Sequence, residues 1–306
     1  MAFMGPVLVV GGANVDVIAR STAAFRPGTS NPGATHSSAG GVGRNIAANL
    51  GLLGVPTALI AAFGDDTFGQ RMVDETRSAG VDLRHSVQLP MPSGSYLAML
   101  DADGELVGAV SDMSATEALA PEHVPDEVVA AASYVVADTN LSTATLEHVC
   151  RAAAAADVPV VLDPVSDRKA QRLLPMLGSV PIHTLTPTRS ELVALSGRED
   201  VEAGVCTLHE AGVARVWVRE GARGSTLFGS GAPISVPAIP AQVRDVTGAG
   251  DAMCAAYVHG LCAGLSDADA AARGAAAAYL TITSDFTVRP DLSAALVEQV
   301  LQKERI

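Results

Sequence analysis

Between Pro121 and Gly224 short apolar runs alternate with longer segments of helical spacing, and this alternation constrains the fold most strongly. Tyr134–Ala137, Val158–Leu162, His183–Thr186 and Arg215–Arg219 read as strands. Helical patterns run up to Ala132, from about Thr143 to Ala156, and onward from Pro187 through Glu191. Strands separated by helices need right-handed crossovers, which give a parallel sheet covered on both faces. Composition supplies the material, since 48% of the 306 residues are hydrophobic and 17% charged. Aromatics make up only 4%, so Ala, Val and Leu on closely approaching helices are expected to pack the core. We therefore expect one large α/β domain with a mainly parallel sheet.

The N-terminal part follows the pattern and then departs from it. Val7–Val10 and Thr57–Phe63 read as apolar strands, the second closed by Gly64-Asp65-Asp66 and a helix through Ser78. Ser95–Leu100 and Leu106–Ser111 are adjacent strands about the hairpin signal Asp101-Ala102-Asp103-Gly104. No helix separates them. Phe25–Ala39, rich in Pro, Gly, Ser, Thr and Asn, reads as a loop. Residues of about 17–39 and 93–115 are accordingly expected to form a small β layer inserted at the domain edge, a lid.

Charge and cysteine usage exclude several classes. A net charge of −13 leaves no basic patch to replace counterions, so neither nucleic acid nor an anionic membrane is expected as a partner. No apolar run approaches the ~18 residues of a membrane span. The opening MAFMGPVLVVGG lacks a basic region and runs into a strand, so no signal peptide is expected. Cys150, Cys206, Cys254 and Cys262 are scattered without CxxC spacing, which argues against a disulfide framework or zinc site. A cytoplasmic setting is expected.

In such sheets ligands bind beyond the carboxyl ends of the strands, where the polar clusters of this chain fall. Asn14 and Asp16 alternate with Val15 and Val17, so they share one face and form a candidate floor for a ligand. Gly40-Gly41-Val42-Gly43-Arg44-Asn45 opens a helix with Ile46, Leu50 and Leu53 at core spacing. It is not a dinucleotide fingerprint, because the third glycine is missing and no strand directly precedes it. Gly41 instead allows the backbone to approach a ligand that Asn45 can hydrogen-bond. Near the other end, Thr247-Gly248-Ala249-Gly250 opens a second helix at Asp251. Such a turn presents unpaired N–H groups and the positive end of the helix dipole, an anion site. Asp251 is either an ordinary first-turn acid or a base set against that anion site. Together these features fit phosphoryl transfer to a polyhydroxylated acceptor. Asp251 would deprotonate the hydroxyl, and the amides of Gly248, Ala249, Gly250 and Asp251 would hold the moving group. No GxxxxGK[ST] occurs, so a P-loop is absent.

Asp245-Val246-Thr247-Gly248-Ala249-Gly250-Asp251-Ala252 resembles the C-terminal signature of the ribokinase-like (PfkB) carbohydrate kinases. Gly40–Asn45, with its alanine-rich helix and Leu53-Gly54, is similar to their N-terminal signature. The resemblance extends through Gly64-Asp65-Asp66 and Thr186-Pro187 to Glu191. It implies a three-layer α/β fold with a β lid, ATP with Mg2+, and activation by a monovalent cation such as K+. It also implies Asp251 as base and Glu191 in a magnesium and phosphate network, acting through water. Thr188, Arg219, Gly221, Gly224 and Thr247 fall at its nucleotide positions, with Thr188 where Asn is common and Arg219-Glu220-Gly221 replacing a Thr-x-Gly turn. Asp245 and Thr247, with carbonyls near Thr281–Ser284, are the candidate cation ligands. Within the family, Thr29-Ser30-Asn31-Pro32-Gly33, Ser111-Asp112-Met113 and Asp138-Thr139-Asn140 resemble most the pseudouridine-kinase branch, and Val42 stands where ribokinases usually carry Lys. That branch implies the 5′-hydroxyl of a C-nucleoside as acceptor. Thr29, Ser30, Asn31, Ser111 and Met113 would then lie near the base and Asn140 near sugar or base. An exposed lid edge could pair with that of a second copy, giving a homodimer.

Overall fold

The computed structural model describes residues 5–304. Burial along the short central strands, Val7–Val10 among them, divides the core in two. Val7 and Val9 pack into one apolar cluster and Leu8 and Val10 into another. Period-two burial on both sides is what a strand with helices over both faces requires. Those strands build a nine-stranded sheet in the order Ile234–Val236, Ser225–Phe228, Val216–Arg219, Thr184–Leu185, Val160–Asp163, Tyr134–Asp138, Val7–Val10, Thr57–Ile60, Val81–Asp82. From Val216–Arg219 onward all neighbours are parallel. Ser225–Phe228 and Ile234–Val236 extend the sheet antiparallel at one edge. The expected α/β fold is the one observed.

Alanine usage explains how the helices sit. Ala252, Ala255 and Ala256 on helix Ala249–Cys262 pack with Ala270, Ala271 and Ala275–Ala277 of helix Asp267–Ile282. A methyl added at Gly260 would fall 2.8 Å from the Ala270 Cα, so the two backbones nearly touch. Helix Ala249–Cys262 also packs against Val42–Leu52, which joins the two glycine-started helices on one face of the sheet.

Strand order reverses between Val7–Val10 and Tyr134–Asp138, because the chain first builds outward one way and then the other. A crevice opens at such a switch point. It is closed tightly here: the buried Asp138 carboxylate accepts from the Gly12 amide at 2.9 Å and the Asn140 amide at 2.8 Å.

A separate four-stranded sheet runs Gly33–Gly40, Asn14–Ser21, Gly94–Leu100, Leu106–Asp112. One correction concerns its first strand. Phe25–Ala39 reads as a loop by composition, yet Gly33–Gly40 pairs antiparallel with Asn14–Ser21 in continuous register from Ser21↔Gly33 to Asn14↔Gly40. Its own side chains favour no strand; the partner's backbone groups impose one, as sheet context commonly does. Likewise Thr57–Phe63 is two short strands, Thr57–Ile60 and Ala62–Gly64, in different sheets.

Candidate active site

Two helices begin on glycines with positive φ and no side-chain cap. Gly41 stands at φ 96° before Val42–Leu52, and Gly248 at φ 78° before Ala249–Cys262. No side-chain oxygen caps their first turns, although the Arg44 amide donates to the Gly12 carbonyl at 3.0 Å and the Ala249 amide to the Val246 carbonyl at 3.3 Å. The packing also demands glycine: a methyl on Gly41 would run into the Gly12 carbonyl and Ala13, and one on Gly248 into the Thr287 carbonyl. The two starts meet, because Asn45 Nδ2 donates to Asp251 Oδ2 at 2.9 Å.

Asp251 is buried, and its pKa is pushed up to about 7. Burial is the largest cause, and the Asp163 and Asp138 carboxylates add to it. The Asn45 bond and the Arg219 charge oppose it. A carboxylate poised near neutrality beside a helix start that no side chain caps is suited to taking one proton at ordinary pH. An acid serving only its own helix dipole would sit exposed and ionised.

Around Asp251 the strand ends supply more charge. Asp163, buried at the end of its strand, accepts from the Val165 amide at 2.9 Å and the Thr186 hydroxyl at 3.1 Å. Val165 takes φ 63°, a conformation a β-branched side chain resists, so this turn stores strain next to the site. Arg219 Nη1 lies 3.0 Å from Asp163 Oδ2, and its Nη2 lies 3.7 Å from Glu191 Oε2. Glu191 forms a capping box with Thr188: its Oε2 accepts from the Thr188 amide at 2.7 Å, and the Glu191 amide donates to Thr188 Oγ1 at 3.3 Å. Burial raises the Glu191 pKa, against the lowering effect of Arg219.

At the start of strand Asn14–Ser21, Asn14 Nδ2 donates to Asp16 Oδ1 at 2.7 Å. Burial pushes the Asp16 pKa up to about 6, opposed by Asn14 and Arg44. Asp16 is in register with Ser38, Tyr96 and Ser111, so the four side chains form one row across the second sheet. Asn140 receives the Lys169 ammonium on its side-chain oxygen, and Arg172 Nη1 donates to the carbonyls of Asn140 and Leu141 at 2.9 and 2.8 Å. Two cavities border this region. One of about 680 Å³ is lined by Asp16, Ser38, Arg44, Tyr96, Thr247 and Thr287. Another of about 700 Å³ is lined by Thr188, Arg189, Arg219, Glu220, Gly221 and Arg223. Each is large enough for a nucleoside-sized ligand. Thr247 borders the first, while Arg219, packed on Gly250, borders the second.

Not every candidate comes together. Thr29, Ser30 and Asn31 sit on the exposed loop joining Asn14–Ser21 to Gly33–Gly40, a strand length of about 23 Å from Asn14 at ~3.3 Å per residue. Asn31 is occupied locally, accepting from the Arg26 amide at 2.8 Å and donating to the Arg26 and Thr29 carbonyls. Met113 precedes the short helix Ser114–Glu117. Gly224, at φ 89°, closes the turn after Arg219 by an amide bond to the Gly221 carbonyl at 3.0 Å. Asp245 Oδ1 accepts from both the amide and the hydroxyl of Thr247, at 2.9 and 2.8 Å. The Arg244 amide binds the Ile282 carbonyl at 2.8 Å, which brings the 281–284 carbonyls beside this turn.

Residues that sequence reasoning passed over are Asp138, Asp163, Lys169 and Arg172. Asp138 stood out only within the Asp138-Thr139-Asn140 motif and Asp163 only as a strand end, neither as a site residue. Lys169 and Arg172, in the SDRKAQR run, resemble any solvated helix until the crevice encloses them.

Comparison with known proteins agrees with this geometry. The model of the pfkB family carbohydrate kinases matches residues 4–293. The chain belongs to that family. It is a phosphotransferase with an alcohol acceptor, a sugar or nucleoside kinase. Pseudouridine kinase of Escherichia coli K12 is 35% identical over 310 residues, covering 97% of this chain and 96% of that one. Ribokinase of Arabidopsis thaliana is 31% identical over 293 residues, covering 90% and 76%. The structure of Arabidopsis thaliana ribokinase complexed with ribose and ATP superposes with a TM-score of 0.86 at 28% identity, covering 98% of this chain and 99% of that one.

Proposed function

We propose that this kinase transfers the γ-phosphoryl group of ATP to the 5′-hydroxyl of pseudouridine. The observation that carries the transfer is Asp251: buried, held near neutrality, and bonded to Asn45 across the two uncapped helix starts. Asp251 takes the acceptor's hydroxyl proton as the oxygen attacks phosphorus and the bond to the ADP oxygen breaks. The amides of Gly248–Asp251 hold the phosphoryl oxygens. Asn14, Asp16 and Asn45 bind the sugar hydroxyls, and Asn140, steadied by Lys169, meets sugar or base. The second sheet acts as the lid that excludes water.

Magnesium fits the residues present. Asp163 and Glu191 offer hard oxygen ligands, and Mg2+ asks for only one or two carboxylates alongside water and phosphate. When bound with the nucleotide it would neutralise phosphate charge. A K+ site at Asp245, Thr247 and the 281–284 carbonyls belongs to the same reading. So does a homodimer through the edge strand Leu106–Asp112, which exposes Leu106, Val107 and Val110.

Support for pseudouridine as acceptor comes from the bacterial relative that shares 35% of its residues across nearly the whole chain. Ribose is the second reading, from the plant ribokinase. A panel of pseudouridine, uridine, adenosine and ribose with ATP, run with and without K+, tests both. Pseudouridine should give the highest kcat/KM; faster turnover of ribose or adenosine would overturn the assignment.

A further inference from the structure

Arg219 is the one feature of the nucleotide side that an ordinary ion pair does not account for. It ends strand Val216–Arg219, and its backbone is fixed by its amide bond to the Pro187 carbonyl at 2.8 Å and by pairing with Thr188. Its guanidinium points in among Asp163, Glu191 and Asp251. A guanidinium present only to neutralise acids would spend its five donors on them. Here Nη1 faces Asp163 at 3.0 Å, Nη2 stands 3.7 Å from Glu191, and the Nε–H is buried with no acceptor among the described residues. A buried unpartnered donor costs folding free energy and calls for a functional explanation.

Its position supplies one. A methyl on Gly250 would fall 2.7 Å from Arg219 Nη1, so the guanidinium lies directly against the uncapped turn. Its other side borders the 700 Å³ cavity. At the acceptor turn Val42 is apolar, and Arg44, which lines the first cavity, spends its donors on Asn45 Oδ1 at 3.3 Å, the Ala39 carbonyl at 3.4 Å and Thr76 at 3.0 Å, with Glu75 at 3.6 Å. Lys169 and Arg172 are engaged at Asn140 and the neighbouring carbonyls. Phosphoryl oxygens brought to the turn would meet Asp163, Glu191 and Asp251; beside the Mg2+ that would come with the nucleotide, Arg219 is the positive charge that the chain itself fixes there.

We propose that Arg219 is a catalytic residue that donates to the γ-phosphoryl oxygens and stabilises them during transfer. Asp163 and Glu191 hold it ready, and it keeps all its protons while the acceptor's proton passes to Asp251. The planar fork suits a phosphoryl group, which a lysine can meet only as a point charge. This rests on the phosphotransferase reading but not on the identity of the acceptor.

The test compares wild type with Arg219→Met and Arg219→Lys. It measures turnover with whichever acceptor of the panel is phosphorylated, and calorimetric binding of ADP and of a non-hydrolysable ATP analogue. Arg219→Met should lower kcat by about 10²-fold, as loss of one transition-state donor does, with acceptor KM little changed. It should weaken the analogue by about tenfold or more, the size of a lost charged hydrogen bond, and leave ADP nearly unaffected. Arg219→Lys should recover part of kcat. Equal losses for analogue and ADP, or a kcat unchanged by Arg219→Met, would overturn the proposal. If Arg219→Met does not fold, Arg219→Lys decides by the same ADP–analogue difference. Wild type that phosphorylates none of the panel would sink the pseudouridine assignment, while the binding difference would still decide Arg219.

Discussion

Helix starts divide this molecule into two kinds of region. Helices Thr67–Ser78, Thr143–Ala155, Arg189–Ser196, Val201–Glu210 and Asp267–Ile282 each begin on a side-chain oxygen, from Asp66, Ser142, Thr188, Asp200 and Ser266. Val42–Leu52 and Ala249–Cys262 begin on Gly41 and Gly248 with no such oxygen. Each capped start recovers about 1 kcal/mol by satisfying orphan amides. The glycine starts forgo that, and they are the two that meet at Asp251. Among the described helices of eight residues or more with an assigned cap, these two are the starts without a side-chain oxygen, and both lie at Asp251.

Substitutions at the two kinds of start should separate cleanly. Asp251→Asn should cut kcat by about 10²–10⁴-fold while ATP affinity, read by calorimetry, stays near wild type. Near-normal turnover would return Asp251 to the role of a helix acid. Gly248→Ala forces a side chain into positive φ and onto the Thr287 carbonyl, so stability should fall by more than ~1 kcal/mol and turnover with it. A folded, fully active variant would break the comparison.

The pH profile sharpens it further. As the proposed base, Asp251 would act only when ionised, so kcat/KM should rise through about pH 7. The stability sign is opposite. The folded pKa lies above the ordinary carboxylate value, so proton uptake favours the folded state, and stability falls as pH rises from about 4 towards 7. Asn45→Ala removes a bond that lowers this pKa and should move the acid limb of the rate profile upward; an unmoved limb would detach Asn45 from the base. The smallest effect is expected at a capped start. Asp200→Ala, which loses the bond from the Ala203 amide at 2.9 Å, should cost about 1 kcal/mol by thermal or denaturant unfolding and leave kinetics unchanged.

The central sheet was legible because its strands are apolar on both faces, a pattern sequence shows directly. Gly33–Gly40 was not, since its pairing depends on a partner strand rather than on its own composition. The edge strands Ser225–Phe228 and Ile234–Val236 went unread for a similar reason: flanking glycines and a proline masked their short apolar content. In the site, glycine turns and the acid beside one of them are local signals and were read correctly as local geometry. Arg219 was placed by the family resemblance, but its pairing with Asp163 depends on a meeting of strand ends that no window of sequence contains. Thr29–Asn31 is a short motif whose place, on the loop beyond the Ser21↔Gly33 end of the second sheet, only the strand pairing reveals.

The bond from Asn45 to Asp251 spans 206 residues of chain. During synthesis, therefore, the acceptor floor and its glycine turn emerge long before the group that would use them. Contacts of such separation form late, after the intervening loops are closed. A nascent chain of the first two hundred residues holds the proposed acceptor side without the proposed base. Catalytic competence would arrive in a single event, when helix Ala249–Cys262 docks on Val42–Leu52, and should track that docking rather than the growth of the sheet.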